Sequence, residues 1–60
     1  MNTKLLEFIR NWLNENEGDF EDDTDCLYAL SRAIHAVPSL AKPSLVELRK
    51  IYDAEKGERG

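Results

Sequence analysis

The sequence predicts an all-α fold, a small three-helix bundle, and three observations carry that prediction. Apolar residues recur at helical spacing in three separate stretches. Each stretch is bounded by a capping residue or a helix breaker. No stretch shows the period-two alternation of a half-buried strand. The helices are expected at about 3–16, 25–37 and 44–55 of a single domain spanning 1–60, with an acidic connector at 17–25 and a frayed tail at 57–60.

In the first helix Leu5, Leu6, Phe8, Ile9, Trp12 and Leu13 fall within an arc of about 160° at 100° per residue. Lys4, Glu7, Arg10, Asn11 and Asn14 lie outside that arc. Asn2 or Thr3 can cap its start, and Gly18 can take the left-handed conformation that ends it.

The second helix is expected from Asp25 to Val37, capped by Asp22, Asp23 or Thr24 and stopped by Pro38. Asp25 suits the positive N-terminal end of the helix dipole. Cys26, Leu27, Ala29, Leu30, Ala33, Ile34, Ala36 and Val37 cover about half its circumference, the breadth expected of the central helix. A connector follows, in which Leu40 can plug the bundle. Ser44 and Glu47 then form a capping-box pattern ahead of a third helix with the stripe Leu45, Leu48, Ile51 and Tyr52. Gly57 is expected to end that helix.

The expected core is Leu5, Phe8, Ile9, Trp12, Leu13, Phe20, Leu27, Leu30, Ala33, Ile34, Val37, Leu40, Leu45, Leu48, Ile51 and Tyr52. A 60-residue domain buries only about 60% of the surface its unfolded chain exposes, so stability is thin and partner binding is one way to add buried area. The length leaves little room for a substrate pocket. The single Cys26 can form neither an internal disulfide nor a cysteine-rich zinc site, and a buried, inert thiol is expected. No apolar run approaches the roughly 18 residues that span a bilayer, and no leader-like segment opens the chain. No membrane association and a cytoplasmic location are the expectations.

Charge is segregated. Residues 11–31 hold seven acids and no base, while the rest hold five acids and eight bases, so a block of −7 sits in a remainder of +3 to give the net −4. The block can be a solvated, helix-capping loop, or an electronegative patch that docks on a basic surface. Acids at 19, 21, 23 and 25 alternate as an oxygen-ligand loop would. However, an EF-hand beginning at Asp19 needs glycine and glutamate where Thr24 and Leu30 stand. No metal and no cofactor is expected.

Tyr28, Ser31, Arg32 and His35 share the outer face of the second helix at i, i+3, i+4 and i+7, and Tyr and Arg are frequent interface anchors. His35 has no nearby nucleophile or orienting carboxylate in sequence, so no catalytic residue is assigned. Phe20, among acids, is either a lid on the bundle or an anchor for a partner. The reading that follows is a non-catalytic interaction module or small accessory or inhibitor protein, a class that phages also carry. It would bind a larger protein, a basic one being suited to the acidic block, through Asp19, Phe20, Glu21, Asp22, Asp23, Tyr28, Arg32 and His35.

Two alternatives remain. One is a regulatory DNA-binding domain using Lys42, Arg49 and Lys50 of the third helix. The seven-residue, two-proline connector 38–44 is long for a helix-turn-helix, though, and residues 42–60 net only +1, both of which count against nucleic acid as a partner. The other is a homo-oligomer in which the broad apolar face of the second helix completes a symmetric dimer.

Overall fold

In a computed structural model the described residues are 3–59, with side chains described through Gly57. They form α1 (Thr3–Asn16), a 3-10 turn (Glu17–Asp19), α2 (Asp23–His35) and α3 (Leu45–Arg59). The protein is a small all-α three-helix bundle.

Local chemistry explains where each helix begins and ends. The bounds of α1 coincide with those expected, although the proposed cap Asn2 lies outside the described residues. Its end differs: no described glycine has a positive φ, and Gly18 sits instead inside the 3-10 turn. Asn16 Nδ2 donates to the Trp12 carbonyl at 3.0 Å, a side-chain bond back onto the last turn of the helix.

Helix α2 starts two residues earlier than expected because Asp22 is its cap, accepting from the Thr24 N–H at 2.8 Å. Asp23 and Asp25 then both lie in the first turn, where the dipole favours them. At the other end the Ala36 N–H bonds the Arg32 and Ala33 carbonyls and the Val37 N–H bonds that of Ile34, so the helix tightens and closes before Pro38. Helix α3 opens on Ser44, whose Oγ accepts from the Glu47 N–H at 3.2 Å. It runs through Gly57, which neither stops it nor leaves the helical region.

Leu5, Ile9 and Leu13 of α1 meet Cys26, Leu27, Leu30 and Ile34 of α2 and Leu48 and Tyr52 of α3, with Leu40 as the plug between α2 and α3. Phe8, Trp12, Phe20, Val37 and Ile51 pack around this centre half-buried. Leu45 departs from the expected core. As the first residue of α3 it stays 47% exposed at the edge of a shallow groove beside Leu27.

Three long-range contacts fix the helix directions. Lys56 Nζ and Tyr52 Oη, late in α3, both donate to Asp23 Oδ1 at the start of α2, so these two helices run antiparallel. Arg10 of α1 meets Glu55 of α3. The order is therefore up, down, up, and each helix packs against the other two, so α2 is not the central helix that its broad apolar face suggests.

Candidate functional site

That topology turns the sequence's charge block into a charged end. The close of α1, the 3-10 turn and the start of α2 meet there, gathering Glu15, Glu17, Asp19, Glu21, Asp22, Asp23 and Asp25, with Lys56 reaching in from α3. The opposite end carries Lys4, Arg32, His35, Lys42 and Lys50, with Glu47 among them. The segregation of charge along the chain thus becomes a difference between the two ends of the bundle.

The acids of the connector serve different purposes. Asp22 is committed to capping. Asp23 holds Lys56 and Tyr52, and the Lys56 ammonium keeps its carboxyl below the ordinary value of 3.8. In return Asp23 raises Lys56 above its ordinary 10.5. Tyr52, 1% exposed, has its hydroxyl pushed well above the ordinary 10.0, first by burial and then by the neighbouring Cys26 and Asp23. Asp19, Glu21 and Asp25 are exposed.

Phe20 is placed as a lid. Its ring stacks on Trp12 with centroids 6.0 Å apart and an interplanar angle of 27°, half-buried against the core. This is why an aromatic residue sits among acids: it shields the end of α1 where the chain turns.

The outer face of α2 is open. Asp25, Tyr28, Arg32 and His35 are all exposed and follow one another at i, i+3, i+7 and i+10, so they form one stripe leading out of the acidic end. Tyr28 is 52% exposed. Tyr28, Arg32 and His35 make no side-chain hydrogen bond or ion pair among the described residues, so nothing inside the fold accounts for their polar groups.

The residues of the two alternatives are placed differently. Lys42 Nζ donates to the Val37 and Leu40 carbonyls at 2.7 and 2.5 Å, stapling the connector after α2. Arg49 pairs with Asp53 at 3.4 Å on its own helix. Only Lys50 of that trio stands without such a partner among the described residues. Of the apolar half of α2, Cys26, Leu27, Leu30 and Ile34 are buried within the single chain, Ala29, Ala33 and Val37 are half-buried and Ala36 is exposed.

Two features escaped sequence reasoning. Glu55 is 7% exposed and ion-paired to Arg10. Its signal was its register, seven residues after Leu48 on the core stripe, where a carboxylate needs a partner. The second is a groove between α1 and α3. No group of three or more His, Cys, Asp or Glu suited to a metal ion occurs among the described residues, and no described helix is long and apolar enough to cross a membrane. Comparison with protein-family models, with curated proteins and with solved structures returns no match.

Proposed function

We propose that this protein is a non-catalytic interaction module that binds a larger protein through the acidic end and the outer stripe of α2. The observation that carries this reading is the placement of Tyr28, Arg32 and His35, side chains with good interface chemistry that the fold itself does not use. They continue the acidic surface of Asp19, Glu21 and Asp25, which suits a partner with a basic rim. Asp22 and Asp23 lend charge while doing structural work, and Phe20 supports the surface from beneath. An accessory or inhibitory role fits a chain that offers surfaces and little interior volume.

The test is site-specific cross-linking in the cells that make the protein. A photoreactive phenylalanine analogue at position 28 should yield one discrete adduct, which Arg32→Glu or the pair Asp19→Lys and Glu21→Lys abolishes. An analogue at Asn14 serves as the comparison. No adduct at 28, or equal adducts at 28 and 14, sinks the reading.

A further inference from the structure

Along the seam of α1 and α3, closed at one end by Ala41–Pro43, runs a half-open groove of about 590 Å³. Leu6 on one side and Ile51 and Ala54 on the other give it apolar walls, the mutually paired Arg10 and Glu55 also line it, and Lys42, Glu47 and Lys50 stand at its rim. Beyond Lys50 lies a second, shallower groove of about 430 Å³ beside Leu45 and Val46. Those two residues are 47% and 67% exposed, and with Tyr28 they are the large apolar side chains most open to solvent among the described residues. The first two turns of α3 are thus a ridge with an apolar trough on each flank.

We infer that this ridge is a second docking surface, of opposite sign to the first, for an acidic amphipathic helix from a partner protein. The charge supports that occupant. Lys42 spends its hydrogen bonds on carbonyls, so no acid cancels its charge, and Lys50 has no ion pair among the described residues. Arg49 is offset by Asp53, leaving Glu47 against two lysines on a protein whose net charge is −4. The shape supports it as well: a trough open along its length takes the side-chain row of a helix, whereas a free small ligand needs enclosure.

A second copy of this chain fits poorly. Its acidic end has the complementary charge but only one strongly exposed large apolar side chain beside it, Tyr28, to set against two troughs. Two ridges placed face to face would oppose Lys50 to Lys50 and Arg49 to Arg49. The inference is independent of the α2 surface, since the two faces share no residue.

The probe is a synthetic 18-residue helical peptide with leucine at i, i+3, i+4 and i+7 and glutamate elsewhere, titrated into the isotope-labelled protein. Backbone amide shifts of Leu6, Lys50, Ile51 and Ala54 should move saturably while those of Tyr28 and Arg32 do not. Ala54→Glu and Lys50→Glu, both at exposed positions, should each weaken binding by about tenfold, and the Lys50 effect should shrink as salt rises. Circular dichroism confirms that both variants fold, and either one alone decides the question. The inference is overturned if a peptide with lysine replacing glutamate binds equally well. It is also overturned if decanoate moves the same amides and the acidic peptide does not, or if diluting the protein alone moves them, which would identify a second copy as the occupant.

Discussion

Arg10 and Glu55, 45 residues apart in sequence, clamp α1 to α3: Nε donates to Oε1 at 2.7 Å and Nη2 to Oε2 at 3.3 Å. The carboxylate is buried and the guanidinium half exposed, with side-chain exposures of 9% and 52%. The pair therefore matters less for the attraction it supplies than for what is stranded when it breaks. Arg10→Met should cost about 2 kcal/mol, a drop of roughly 8–16 °C in Tm, by leaving the Glu55 carboxylate buried without its cation. Adding Glu55→Leu should recover most of the loss. A double variant no more stable than Arg10→Met would show that the carboxylate is not the source of the penalty.

The Asp23–Lys56–Tyr52 cluster makes stability pH-dependent at both extremes. Asp23 is depressed in the folded state, so its contribution is present above its ordinary 3.8 and is lost as pH falls below that. Lys56 and Tyr52 are raised, so theirs is present below about pH 10 and is lost as pH climbs further. Thermal unfolding followed from pH 2 to 12 should therefore show a plateau with two shoulders. Tyr52→Phe should blunt the alkaline shoulder and trim the acid one less, since it also removes a hydrogen bond to Asp23; Asp23→Asn should flatten the acid one. Unchanged shoulders in both variants would remove the cluster from this role.

Core positions should separate by burial, whatever their hydrophobicity. Leu30→Ala, at a fully buried site, should cost about 2–5 kcal/mol, enough to leave much of so small a domain unfolded. Leu45→Ala, at the groove edge, should stay within about 0.5 kcal/mol of the parent. Urea midpoints for the two variants give the comparison directly.

Helix ends offer a gain as well as a loss. Gly57 lies in helical backbone with nothing within 4 Å of where a Cβ would stand, so Gly57→Ala should add about 0.5 kcal/mol. Asp22→Ala should remove about 1 kcal/mol with the cap of α2. A Gly57→Ala variant that melts earlier than the parent would mean that α3 does not persist to Arg59.

Most of the fold was legible because it rests on local rules. The periodicities of α1 and α3, the serine cap at 44 and the proline stop after α2 are all read within a few residues. What escaped the sequence was the set of features that depend on distant chain. Asp23 reads as one of three possible caps until Lys56 and Tyr52 arrive to claim it. Glu55 reads as a surface charge until Arg10 is brought alongside. Leu45 follows the stripe of α3 faithfully, yet at the first position of that helix it stays half exposed at the edge of the groove beside Leu27. Of the proposed contact residues, Tyr28, Arg32 and His35 were visible from spacing alone, whereas the groove exists only once α1 and α3 lie side by side.

The stacking of Phe20 on Trp12 has a practical corollary. Trp12 is the only tryptophan in the chain, so the ultraviolet emission of the whole protein comes chiefly from a ring at the acidic end. Anything that loosens that end, or seats a partner over it, alters the water around one indole and shifts its colour. The protein carries its own optical gauge, fixed beside the surface proposed for recognition and needing no dye.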